Sequence, residues 1–229
     1  MMRNQFPLTK ILILVTILAV PGFLYYLLQD KGKNRYKPLP FYGPKEVAET
    51  FTERRGKKIP DTIYHRIPNF SGVNQIGEKF DFDSVKNEIV IANFFYTNAE
   101  KLGDEMFRQI SWLRDRYADN KMIRFVSVSI DPENDNGAVV QEFARQHKAL
   151  AGKWDLVIAD TSVVYPLASN GFYVNAFKHG NDYVLSEKLI LLDKQHRIRG
   201  YYSCLLAEDM KSLNDEIKVL ITEELRKMQ

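Results

Sequence analysis

The sequence predicts an α/β fold: a central mixed sheet flanked by helices, preceded by an N-terminal transmembrane helix. Three observations carry that expectation. Residues 88–96 and 123–130 are nearly continuous in apolar side chains, as strands buried on both faces are. Apolar residues between and after them recur at three- and four-residue spacing, the mark of one helix face packed on a core. Strand-like and helix-like segments alternate, which requires a sheet covered on both sides.

The first element is the uncharged stretch 11–28, ILILVTILAVPGFLYYLL, extended upstream by Phe6, Pro7 and Leu8. Its length just suffices to cross a hydrocarbon core of about 30 Å. Phe23, Tyr25 and Tyr26 fall near its distal end, where interfacial rings are favoured. Pro21 and Gly22 are placed to kink the helix. No small-residue cleavage site follows, and no nearby cysteine can carry a lipid, so residues 1–29 are expected to be an uncleaved anchor. Arg3 and Lys10 precede the span and Lys31, Lys33, Arg35 and Lys37 follow it, a count that leans towards a cytoplasmic C-terminal domain. Residues 30–60 are polar and basic, punctuated by Pro38, Pro40, Gly43, Pro44 and Gly56, and read as a linker. The domain proper is expected over 61–229.

Within it, residues 63–67 and 75–82 suggest an opening hairpin with Gly72 and Asn74 in the turn. Strand 88–96 is followed by a helix presenting Leu102, Met106, Ile110, Leu113 and Tyr117 on one face. Strand 123–130 leads to a second helix marked by Val139, Val140 and Phe143. A third strand covers 154–159, and a short helix 162–168. Residues 188–192 and 197–202 form a closing hairpin that turns through Asp193, Lys194 and Gln195. Met210, Leu213, Ile217, Leu220 and Ile221 place a final helix on the sheet. This order of elements is that of the thioredoxin fold, and it fixes no function by itself.

Composition narrows the function classes. The 32 basic and 29 acidic residues give a net charge of +3, and no Lys/Arg block suggests nucleic-acid binding. Cys204 is the one cysteine, so dithiol redox chemistry, an intramolecular disulfide and a cysteine-based zinc or iron–sulfur site are excluded.

Several short motifs resemble the SCO/SenC family. Phe94-Phe95-Tyr96-Thr97-Asn98 ends a buried strand and opens a helix carrying Met106. Val128-Ser129-Ile130-Asp131-Pro132-Glu133, Gly152-Lys153-Trp154-Asp155, Ser186-Glu187-Lys188 before Leu192-Asp193, and Arg197-Ile198-Arg199-Gly200-Tyr201-Tyr202 follow in the family's order. The resemblance covers about 64–223. It implies a thioredoxin fold, a domain outside the cytoplasmic (inner) membrane on a single span, and a role in copper delivery or thiol reduction during assembly of the binuclear copper centre of cytochrome c oxidase. Two cysteines in a Cys-x-x-x-Cys-Pro turn and one histidine hold copper in that family. Soft thiolates suit Cu(I), and an added imidazole accommodates Cu(II).

Carried over one residue at a time, the first cysteine falls on Ala99, the second on Gly103, the proline on Asp104 and the histidine on Leu185. At the three ligand positions, Ala99, Gly103 and Leu185 have no side chain that can bind copper or attack a disulfide. The expectation is therefore a degenerate family member: non-catalytic, with no cofactor, no metal ligand and no catalytic residue. Its partners would be the membrane and either an oxidase subunit or a metal-competent relative. Two alternatives stay open at this point. One is a copper site rebuilt around His179 and Met106, with Glu100 or Asp104 nearby; the other is thiol chemistry at Cys204. The plainer readings are a solvated His179, a packed Cys204, and Glu100, Asp104 and Glu105 as first-turn charges at a helix N-terminus capped by Asn98. His147 and His196 are expected at the surface, and His65 in the opening hairpin.

Overall fold

A computed structural model of the chain describes residues 8–31, 38–54, 56–180 and 182–227. The chain divides into two compact units, 1–38 and 39–229. In the first, the apolar stretch forms helix α1 (Leu8–Lys31), with Pro21 inside it and Phe23, Tyr25 and Tyr26 exposed. Among the described residues, no helix is long and apolar enough to cross a membrane. Arg3, Phe6, Pro7, Lys33, Arg35 and Lys37 lie outside the described residues.

The second unit is built on a five-stranded mixed sheet. Strands β5 (Ile89–Phe95), β6 (Ile123–Ser129) and β7 (Trp154–Val157) run parallel. Strand β10 (Lys188–Leu192) pairs antiparallel with β5 on its other side, and β11 (Ile198–Ser203) closes that edge. Because side chains alternate along a strand, β5 feeds two cores. Ile89, Ile91 and Phe95 point to one, with helices α2 (Glu100–Arg116), α3 (Gly137–Gln146) and α5 (Ala207–Arg226). Val90, Ala92 and Phe94 point to the other, with helix α4 (Thr161–Pro166) and the π-helical turn Leu167–Gly171. Apolar spacing set the helices: α2 buries Met106, Phe107, Ile110 and Leu113, and α5 buries Met210, Leu213, Ile217 and Leu220. Phe107 alone has four aromatic neighbours, Phe95, Phe143, His147 and Trp154, with ring centroids 4.7–5.4 Å away. Full burial of such a side chain is worth about 1.5–3 kcal/mol.

Three sequence expectations need correction. The stretch read as linker holds a long antiparallel hairpin, β1 (Lys45–Arg54) with β2 (Lys57–Tyr64). Its β-branched and aromatic residues, Val47, Phe51, Ile59 and Ile63, outweigh the Pro and Gly that suggested irregular chain. The opening hairpin is shifted: β3 (Ser71–Val73) pairs with β4 (Lys79–Asp81), and Asn74 turns the chain by accepting from the N–H groups of Ile76 and Glu78. Gly72 lies in the strand rather than the turn, where a Cβ would stand 2.4 Å from the Ile158 carbonyl oxygen. His196 is buried, not at the surface, because the closing turn folds back and lays its ring 4.2 Å from that of Phe82. His147 is half-buried.

Arg199 joins the start of this unit to its end. Its fully buried guanidinium donates to the carbonyls of Leu39 and Pro40 and pairs with Glu223 at 2.8 Å and Asp193 at 3.4 Å. The Phe41 ring lies 4.2 Å from it.

Candidate functional site

The turn that carries the sequence-expected site lies where β5 hands over to α2. Strand β5 ends at Phe95, and Thr97 is then fixed by Asp135: the Thr97 N–H and hydroxyl both donate to the Asp135 carboxylate, at 3.1 and 2.6 Å. Ser129 donates to the same carboxylate. Burial raises the Asp135 pKa, while these hydrogen bonds oppose the rise. Asp135 went unnoticed in the sequence; its signal was position, four residues beyond Asp131 in the loop after a buried strand.

Beyond Thr97 the chain enters α2 through Ala99, which caps the helix with no side-chain hydrogen bond. Asn98 is exposed and is not the cap, a correction to the sequence reading. Glu100 holds a left-handed backbone, φ 46°, a conformation that costs a non-glycine residue about 1–3 kcal/mol. Ala99 and Gly103 are both buried, and the Gly103 N–H donates to the Ala99 carbonyl. A Cβ placed on Gly103 would stand 2.9 Å from the Ala99 Cβ. The two positions therefore face one another across one helical turn.

The third position, Leu185, is half-buried and packs against the core beneath α4, as does Tyr96. It follows a short hairpin, β8 (Phe177–His179) with β9 (Asp182–Val184), where the sequence suggested a long mobile loop. Aromatic stacking places this hairpin against the turn: Tyr183 lies on Tyr96 with centroids 4.8 Å apart, and Lys178 reaches Glu133 at 3.6 Å. Burial raises the Tyr96 pKa, and the charges of Glu100, Asp131 and Asp182 add to the rise. The rim of the site is thus acidic.

The residues weighed as replacement ligands are not brought together. Met106 is fully buried, and its sulfur accepts a hydrogen bond from Asn93 Nδ2 at 3.0 Å. Asn93 in turn accepts from Ser127, whose hydroxyl accepts from the Trp154 indole, so Met106 ends a buried polar chain in the core. His179 is exposed on its hairpin. Among the described residues, no group of three or more His, Cys, Asp and Glu side chains is placed to hold a metal ion. Cys204 is 1% exposed in the core packed by α2 and α5, and burial first, then Glu105 and Glu187, pushes its thiol up to about 11. Such a thiol is protonated and inert at neutral pH. The His65 Nε2–H donates to the Gly171 carbonyl at 2.8 Å, well apart in sequence from the turn.

Beside the turn lies an open groove of about 430 Å³, lined by Thr97, Asn98, Ala138, Val139, Glu142, Phe143 and Gln146. It has an apolar floor, a single acid at its edge and no metal-binding group beyond Glu142.

Comparison with known proteins agrees with the architecture. The sequence model of the SCO1/SenC family matches residues 62–221. A SCO1 protein homologue of Bacillus subtilis (strain 168) is 30% identical over 103 residues, 44% of this chain and 53% of that protein. The match thus spans about half the length of that curated relative. Among solved structures, a SCO1/SenC family lipoprotein from Bacillus anthracis superposes with TM-score 0.63 at 20% identity, covering 69% of this chain and 95% of that one. ScoI of Arabidopsis thaliana, solved with copper bound, gives TM-score 0.55 at 18% identity over 70% and 98% of the two chains. At these identities the superpositions speak for the fold alone.

Proposed function

Since the chain belongs to the SCO1/SenC family, we propose that it serves cytochrome c oxidase assembly as a non-catalytic binding protein, without copper at the family's site. In this reading, the uncharged stretch 11–28 anchors it to the cytoplasmic membrane and the domain stands on the outer side. The surface over the Ala99–Gly103 turn, with the adjoining groove along Val139 and Phe143, docks an oxidase subunit or a metal-competent relative.

The observation that supports this most is the geometry at Ala99 and Gly103. The two positions face one another across one helical turn, yet offer a methyl group and a hydrogen. Around them the turn is well braced: Asp135 clamps Thr97, and Tyr183 closes on Tyr96. The residues present therefore do not fit copper at this site, and no copper step runs through them. Thiol exchange is disfavoured on separate grounds, because the sole thiol is buried and protonated.

Competition between the full chain in detergent and a Cu(I) chelator of known affinity tests this. The chelator is expected to keep its copper at one equivalent of protein. A tight 1:1 Cu(I) complex would overturn the reading.

A further inference from the structure

From the β1–β2 hairpin we propose a second membrane contact: the ribbon lies flat on an anionic lipid surface, apolar face down, with the lysines at its tip among the headgroups. This rests on the membrane-anchored reading given above.

Most of the hairpin precedes the region matched by the family model, and nothing in the proposed docking role uses it. Among the described residues, its two strands pair only with each other. A lone two-stranded ribbon is marginally stable in water unless its faces find something to pack on. Its base is secured: Tyr64 stacks on Phe41 at 4.0 Å, the His65 N–H donates to the Pro44 carbonyl, and the Tyr42 N–H to that of Ile198. The rest of the ribbon stands in solvent.

The register decides which side chains share a face. Val47 lies opposite Thr62, Phe51 opposite Pro60 and Glu53 opposite Lys58. Partners point the same way, and alternation along β2 puts residues 58, 60 and 62 together. One face therefore carries Val47, 77% exposed, beside Thr62, then Phe51, 59% exposed, beside Pro60, and ends at the Glu53–Lys58 pair. The opposite face is mixed, with Ile59 and Ile63 beside a Thr52–Asp61 hydrogen bond.

Charge selects the occupant. The turn sequence Glu53-Arg54-Arg55-Gly56-Lys57-Lys58 holds four cations against one acid. Anionic headgroups attract such a cluster, and lysine stems can lie along an apolar surface while the ammonium groups stay in the headgroup layer. Only 16 residues separate Leu28 from Lys45 in sequence, a span of at most about 3.3–3.6 Å per residue. A chain anchored through residues 11–28 therefore holds the start of the ribbon within about 60 Å of the bilayer.

The full chain, spin-labelled at Pro60→Cys on the apolar face or at Ile59→Cys on the other, separates the possibilities. Cys204 stays unlabelled because it is buried. The variants are reconstituted with zwitterionic vesicles or with vesicles holding a third anionic lipid. Flotation with zwitterionic vesicles reports on α1. Collision with oxygen and with a water-soluble nickel chelate reports on the hairpin. The label at 60 is expected to lose at least threefold nickel accessibility on anionic vesicles, the label at 59 to change less than 1.5-fold, and Lys57→Glu with Lys58→Glu to remove the difference. Flotation that is lost on zwitterionic vesicles but kept on anionic ones, and abolished by the double charge reversal, would sink the anchor while supporting the hairpin contact. Equal nickel accessibility on both lipids overturns the proposal. So does protection in detergent with dipolar broadening between labels, which would mean two copies pair through the ribbon.

Discussion

Returning sulfur to the turn gives the sharpest check on the site. In Ala99→Cys/Gly103→Cys the new Cβ atoms start 2.9 Å apart, and the backbone has to open by about 1 Å to reach the ~3.8 Å usual for a disulfide. The one atom that a Cβ at 103 would meet within 4 Å is Ala99 Cβ itself, so the opening is needed between these two positions. A bridge from 99 to 103 closes a loop of five residues. By the loop-entropy relation, that restrains the unfolded chain by about 2 kcal/mol at 25 °C, and strain in the turn reduces the gain to about 1 kcal/mol. The oxidised variant is therefore expected to unfold at higher urea than the reduced one, by about 1–2 kcal/mol. Comparing two redox states of one protein cancels the separate effect of replacing a helical glycine. Thiol titration should count one reactive group after unfolding in the oxidised protein, Cys204, and three in the reduced. The reduced variant should also take Cu(I) from a chelator that the unaltered chain leaves loaded. If both new thiols remain free in the folded protein under oxidising conditions, residues 99 and 103 do not face each other, and the register that makes this site degenerate is wrong.

Two further outcomes test the scaffold. Arg199→Ala leaves Asp193 and Glu223 without their buried cation and two carbonyls without a donor, at an expected cost of about 3–5 kcal/mol in urea unfolding; a loss below 1 kcal/mol would show that the guanidinium holds nothing together. Burial lowers the His196 pKa below the ordinary histidine value, and Nε2 has no hydrogen-bond partner among the described residues. The unfolded chain thus binds the proton more readily, and stability present above about pH 6.5 is lost as pH falls. His147 is lowered by burial in the same sense, so the comparison is with His196→Phe, whose unfolding midpoint should fall less between pH 7.5 and 5.5; parallel curves would refute the assignment.

The periodicity of apolar residues was enough to place β5, α2, β6, α3, β7 and α5, because burial of one face or both is written directly into spacing. The lack of a second cysteine was equally legible, since a thiol that is missing from the chain is missing in any fold. Other features depended on which distant segments meet. Nothing local distinguishes Met106 as a hydrogen-bonded core residue from Met106 as a ligand; Asn93, Ser127 and Trp154 decide it from three adjacent strands. The clamp of Asp135 on Thr97 spans 38 residues, and the burial of His196 needs Phe82 folded over it. The β1–β2 ribbon escaped notice because its strands owe their pairing to each other and to a base held by Phe41 and Tyr42, not to a buried face that would mark the sequence. Residue chemistry came from the sequence; exposure, partners and facing came from tertiary contacts, because solvation and proximity are properties of the folded chain.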